Sequence, residues 1–194
     1  MNKQRQLNVI KEEIHILKNS PLYSYRIKNN YIPVCGEGNN DTKIIFVGEA
    51  PGKKEAETGK PFCGASGKIL DQLLSSISLK RKDIYITNIL KDRPQNNRDP
   101  KPNEIKLYAP FLKKEIEIIQ PKIIATLGRF SMHYIMNEFG LTNKIEIISK
   151  IHGKVFKIKT SWGDIKIIPL YHPAVAVYNK NKLPEIKKDF KVLK

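Results

Sequence analysis

This sequence reads as an α/β protein with a mainly parallel sheet. Three short apolar runs, KIIFVG (43–48), DIYITN (83–88) and KIIATLG (122–128), have the length and β-branched content of strands buried on both faces. Each is followed by a loop and then by apolar residues at helical spacing. Strands alternating with helices in this way build a parallel sheet with helices packed against it. Ligands of such sheets sit beyond the carboxyl ends of the strands. Functional residues are therefore expected in Gly48–Gly64, Asn88–Pro102, from Gly128 onward and from His172 onward.

Taken in order, residues 3–18 place Leu7, Ile10, Ile14 and Leu17 on one helical face. Residues 19–42, with Pro21, Pro33, Gly36 and Gly38, read as a long irregular connection. After the first strand and a Gly/Pro-rich loop, Ile69, Leu70, Leu73, Leu74 and Ile77 mark a second helix. The second strand leads through a polar loop (91–102) to a helix over 103–119 with Ile105, Leu112, Ile116 and Ile119 inward. The third strand leads to a helix through Met136. Two β-rich segments, 154–159 and 164–170, flank Ser161-Trp162-Gly163-Asp164, which reads as a hairpin turn, and the second ends at Tyr171-His172-Pro173. The lysine-rich stretch 180–194 reads as a solvated tail. No repeat or linker interrupts the chain, so one domain over 1–194 is expected.

Composition narrows the partners. Thirty-five basic against 19 acidic residues give a net charge of +16. That excess suits a polyanion, because each cation set near a phosphate releases a counterion. Frequent Ile, Lys and Asn also fit a genome biased toward AAA codons, and charge alone leaves nucleic acid and an anionic membrane surface both open. No apolar run of about 18 residues exists to span a bilayer, and the charged N-terminus lacks a signal-peptide core. An intracellular, cytoplasmic monomer is the expectation. Two cysteines, Cys35 and Cys63, and no CxxC give little basis for a disulfide or a metal site.

Three segments carry chemistry. GEAPGKKEAETGKPFCGASGKIL (48–70) has five glycines and two prolines in a strand-to-helix loop, which implies close backbone approach to something. It has neither the GK[ST] ending of a phosphate loop nor a GxGxxG, so a nucleotide-type ligand and a tight loop without a ligand stay open. Asn88 closes the second strand. Its amide edge, one acceptor and two donors, complements the O4 acceptor and N3–H donor of uracil, though an Asn there also suits a turn cap. In YHPAVAVYN (171–179), His172 sits at a strand end before a proline. His15 and His133 fall on helices, and His152, beside Gly153, reads as a turn residue.

The chain from about residue 5 to 180 resembles a family 4 uracil-DNA glycosylase. The matching stretches are Gly48-Glu49-Ala50-Pro51-Gly52, Thr58-Gly59-Lys60-Pro61-Phe62 with Gly64 and Gly67, and Tyr85-Ile86-Thr87-Asn88. They continue with Asn97-Arg98-Asp99-Pro100, Pro121-Lys122, Leu127-Gly128 and His172-Pro173-Ala174, in the family's order and spacing. The resemblance implies a three-layer α/β/α domain around a four-stranded, mainly parallel sheet. It implies an enzyme that flips uracil out of DNA and hydrolyses the N-glycosidic bond, leaving an abasic site for base excision repair.

Roles follow from the resemblance residue by residue. Phe62 gives the base a stacking face, Asn88 reads its edge, and His172 donates a hydrogen bond to O2 as negative charge develops there. Gly48, Ala50, Pro51 and Gly52 line the base. Glu49 is the nearest carboxylate to orient water or the sugar cation. Ala50 stands where the best-known glycosylases of the superfamily place a water-positioning Asp. Glu55 would exclude thymine's methyl, although within KKEAE it also reads as a solvated charge. Lys53, Lys54, Lys60, Arg93, Arg98 and Lys101 would grip the backbone, and Ser66 with Gly64 and Ala65 would meet a phosphate at a helix N-terminus. Somewhere from Val175 through Ala176 to Tyr178, an apolar wedge would enter the base stack. KDRPQNNRDPKP has no inserted histidine of the self-trapping kind, so ordinary turnover is expected.

The sequence departs from the family in one respect. Family 4 members usually hold a four-iron, four-sulfur cluster through four cysteines, and the corresponding positions here are Leu17, Ser20, Asp92 and Tyr108. Clusters of this type need thiolates, so no cofactor is expected, with Leu17, Leu22 and Tyr108 filling the space. Two other readings stay open: a non-catalytic DNA-binding or replication-scaffold subunit, and a glycosylase for other deaminated bases.

Overall fold

The computed structural model describes residues 2–194. Its centre is one six-stranded sheet. In chain order the strands are β1 (Glu37–Gly38), β2 (Ile44–Gly48), β3 (Tyr85–Asn88), β4 (Ile123–Leu127), β5 (Phe156–Thr160) and β6 (Gly163–Leu170). Their spatial order is β1-β3-β2-β4-β6-β5. The inner four, β3-β2-β4-β6, run parallel, which is the four-stranded sheet the resemblance implies. The hairpin expected at Ser161–Asp164 is present as the antiparallel β5–β6 pair, whereas the antiparallel pairing of β1 at the other edge was not expected.

Alternation along each strand sends side chains to two cores. Ile45, Val47, Tyr85, Ile124 and Ile167 enter one core, with α1 (Lys3–His15), α5 (Pro102–Ile119) and α6 (Arg129–Glu138). Ile44, Phe46, Ile86, Leu127 and Leu170 enter the other, with α4 (Ala65–Ser76) and α9 (Leu183–Phe190). The result is a three-layer α/β/α sandwich. Both faces of β2, β3 and β4 are buried, which is why those segments read as continuous apolar runs.

The C-terminal stretch corrects the expectation of a solvated tail. Ile186, Phe190 and Leu193 are buried in the second core, and the Phe190 ring stacks on Phe46 at 5.9 Å between centroids. Spacings of three and four between apolar residues, with lysines between them, make this an amphipathic surface helix. His152 is more than a turn residue. Its ring bridges Asp189 (Nδ1–Oδ2 2.7 Å) and Glu185 (Nε2–Oε1 3.3 Å), pinning α9 to the turn before β5. Among the described residues no helix is long and apolar enough to cross a membrane.

Candidate active site

The carboxyl ends of β2, β3 and β6 open on one cavity of about 290 Å³, at the small end of ligand sites. Its walls include Phe62, Asn88 and His172, so the structure brings together the trio that the sequence singled out. Glu49, Ala50, Gly52, Glu55 and Ser66 join them, with Asn97 and Tyr178 at the same cavity. Pro51 is buried just behind, between Ala50 and Gly52.

Asn88 is 2% exposed, and its Oδ1 has no hydrogen-bond partner. A buried orphan acceptor costs about 1–3 kcal/mol, a cost that a ligand N–H at this cavity would remove. The amide and the Phe62 ring both lie against the bare Cα of Gly48. A Cβ there would fall 2.2 Å from Asn88 Oδ1 and 2.9 Å from the ring. Gly48 is therefore a requirement of close packing.

Phe62 sits in left-handed backbone, with φ of 50°. Such geometry in a bulky residue persists only where its surroundings hold it. Arg81 does the holding. Its guanidinium donates to the carbonyls of Pro61 (3.2 Å) and Phe62 and to Asp71 Oδ1 (2.5 Å). Gly67 lets α4 close over the Phe62 carbonyl, since a Cβ would lie 1.7 Å from that oxygen. The sequence reading missed Arg81, which lies 19 residues from Phe62 in a short 3-10 turn.

His172 stands 5.7 Å from Phe62 between ring centroids. Its Nδ1 accepts a hydrogen bond from the Ala174 N–H at 3.1 Å. The accepting nitrogen carries no proton, so the neutral ring is protonated on Nε2. Burial pushes its pKa down to about 4, so the ring is neutral near pH 7. This gives the protonation state that the sequence left open: a neutral donor of one fixed tautomer.

Glu49 lines the cavity unpaired, with its pKa pushed up to about 7, first by burial, then by nearby Asp99, against the pull of Arg129. Asp99 and Arg129 pair with each other at 2.5 Å. Glu55 is no solvated charge: its Oε1 takes the Gly64 N–H at 3.2 Å, and Oε2 lies close to Gly52.

The expected DNA contacts divide. Lys53, Lys54, Lys60 and Lys101 are exposed, and Ser66 reaches the cavity in the first turn of α4. Arg93 departs from expectation. Its guanidinium is bonded to Asn97 Oδ1 (2.7 Å) and to the Tyr31 (2.7 Å) and Tyr25 (3.3 Å) hydroxyls, so it braces its own loop. Arg98 is half committed, with both terminal nitrogens on Glu104 (2.9 and 2.5 Å). Ala176 is 2% exposed in the second core and so is not free to enter a base stack, Val175 is partly buried against the same core, and Val177 is 37% exposed. Tyr178, at the end of the short helix α8 (Ala174–Tyr178), is 90% exposed beside the cavity. The segment holds a second tyrosine, Tyr171, so only the fold singles out Tyr178.

A family model described as the uracil DNA glycosylase superfamily matches residues 35–194. The chain belongs to that superfamily. It is 45% identical over 168 residues to a type-4 uracil-DNA glycosylase of Archaeoglobus fulgidus, covering 86% of this chain and 82% of that one. It is 43% identical to the type-4 enzyme of Sulfurisphaera tokodaii, over 97% and 83% of the two chains. For the type-4 enzyme of Saccharolobus solfataricus the identity is 41%, over 97% and 85%. In this glycosylase, the matched region holds every strand and the whole cavity. The first helix and its approach to α5 lie outside it and are matched in the longer alignments.

Proposed function

We infer that this glycosylase binds a uracil flipped out of DNA and hydrolyses its N-glycosidic bond. The observation that carries the reading is the unpartnered Asn88 Oδ1 at a cavity shared with the Phe62 ring and the His172 Nε2–H. Asn88 Oδ1 accepts from uracil N3–H, and its NH₂ donates to O4. Cytosine reverses both, leaving buried polar groups unpaired. Phe62 stacks on the base, worth about 1–3 kcal/mol.

As the bond breaks, the sugar gains cationic and the base anionic character. A neutral Nε2–H facing O2 gains most as that charge appears, so it lowers the barrier rather than merely binding substrate. One such donor is worth roughly 3–4 kcal/mol. Glu49, as carboxylate, orients the attacking water and stabilises the sugar cation. Glu55 occupies the space that thymine's methyl needs. Exposed lysines at the rim grip phosphates, and the Tyr178 ring fills the gap that the flipped base leaves in the stack. One copy supplies every group at the cavity, so a monomer acting on DNA inside the cell suffices.

The test is a uracil-bearing oligonucleotide, treated with enzyme and then with alkali to cut abasic sites. Wild type releases uracil, and His172→Ala loses about 10²- to 10³-fold in rate. Asn88→Asp gains activity on cytosine. Full rate in His172→Ala would remove the role given to the imidazole. No cleavage by wild type would favour the scaffold reading, and cleavage at hypoxanthine would widen the base range.

A further inference from the structure

The family's cluster needs four thiolates, and the residues here do not fit it. A leucine, a serine hydroxyl, a carboxylate and a phenol stand at the four positions, and three of them are bonded into one network. Tyr108, fully buried in α5, has its hydroxyl 2.6 Å from Asp92 Oδ2 and 2.8 Å from Ser20 Oγ. A carboxylate only accepts, so the phenol donates to Asp92 and the Ser20 hydroxyl donates to the phenol. Ser20 Oγ in turn takes the Leu22 N–H at 3.1 Å.

A fifth residue completes the network. Arg26, on α2 (Tyr23–Lys28), is 4% exposed and sets Nη1 3.2 Å from both oxygens of Asp92. The same guanidinium donates to the carbonyls of Ile14 (3.4 Å), His15 (3.1 Å) and Leu17 (3.5 Å), where α1 ends. Helix ends leave such carbonyls without partners, and a cation there is favourable. Leu17 thus contributes its backbone, while its half-buried side chain packs on the first core. Leu22 and Tyr108 are buried in the first core and Leu17 packs against it, as expected, and the polar groups among them have matched partners.

We propose that Arg26, Asp92, Tyr108 and Ser20 form a hydrogen-bonded tie that replaces the iron–sulfur cluster, joining α1, α2, α5 and the second loop without iron. Asp92 lies four residues beyond Asn88, so the tie anchors the loop that leaves the base-reading residue. The inference rests on family membership and not on the excision reading, and its tests need no DNA.

The first measurement is iron and acid-labile sulfide in the full chain, before and after anaerobic reconstitution with ferrous iron and sulfide. Wild type holds neither and stays colourless; a loaded cluster overturns the proposal. The second uses Leu17→Cys, Ser20→Cys, Asp92→Cys and Tyr108→Cys combined. If the four positions converge on one site, the folded variant takes up iron and turns brown on reconstitution; a folded variant that takes up none overturns it. Should that variant not fold, thermal unfolding decides. Arg26→Met strands a buried carboxylate and lowers the melting temperature by roughly 10 °C. Adding Asp92→Leu to Arg26→Met restores part of that loss. Equal, additive losses from the two substitutions overturn the tie.

Discussion

Gly48→Ala tests the geometry of the site most directly, because one methyl group meets both the Asn88 amide and the Phe62 ring. The added Cβ falls 2.2 Å from Asn88 Oδ1 and 2.9 Å from two carbons of Phe62. Ordinary contacts need about 3.5 Å, so the amide must retreat by about 1 Å or β2 must bend. Neither is easy. Asn88 is the last residue of β3, paired with Gly48 itself across the two strands. The Phe62 carbonyl is fixed by Arg81. A displacement of about 1 Å in a positioning group costs on the order of 10²-fold in rate. Overpacking of this size costs about 1–3 kcal/mol of stability. Single-turnover excision of uracil and thermal unfolding, measured side by side, separate the two effects. A double-mutant cycle sharpens the reading. In an Asn88→Ala background the clash with the amide is gone and only the one with Phe62 remains, so Gly48→Ala costs less there than in wild type. An enzyme within threefold of wild-type rate, with unchanged melting, would show that Asn88 and Phe62 do not need the positions described, and the account of the cavity would fail.

The cavity makes three further predictions. Glu55→Ala removes the carboxylate held by the Gly64 N–H; if that carboxylate fills the space beside C5, thymine release from a G·T oligonucleotide becomes measurable, with uracil release largely kept. If Glu49 acts as carboxylate, the excision rate rises with pH through a midpoint of about 7. Asp99→Asn takes away a like charge and moves that midpoint to lower pH in a pH–rate profile. Burial that raises a carboxyl's pKa favours the protonated fold, so Glu49 contributes stability at low pH that is lost as pH rises through about 7. Tyr178→Ala lowers excision from duplex DNA more than from single strands, where no stack needs filling; equal losses on both would discard the ring's role.

Much of the fold was legible because strands buried on both faces write themselves as unbroken apolar runs, as Ile44–Gly48 and Ile123–Leu127 do. The edge strand β1 leaves no such trace. β1 is two exposed residues inside a Pro- and Gly-containing connection, and its pairing with β3 is set by the sheet. In α9, lysines crowding Leu183, Ile186 and Phe190 hid an apolar stripe that periodicity alone could have shown. At the site, Phe62, Asn88 and His172 were readable from motif order. Their supports were not, because each is a contact across distant sequence. Arg81 reaches back 19 residues to Phe62, and Arg26 meets Asp92 across 66. No local pattern says whether a given arginine will face solvent, as the backbone-gripping reading of Arg93 assumed, or close a network of phenols.

The bond from the Ala174 N–H to His172 has a consequence for the fate of the proton. A main-chain amide can only donate, so while this bond stands the neutral imidazole keeps its proton on Nε2. With a pKa near 4, the ring accepts no second proton near neutrality, and surrendering the one it has would leave an imidazolate. In the unliganded cavity it is therefore poised to donate a hydrogen bond rather than to exchange protons. On the reading proposed for it, the ring holds a hydrogen bond to the departing pyrimidine without handing it a proton.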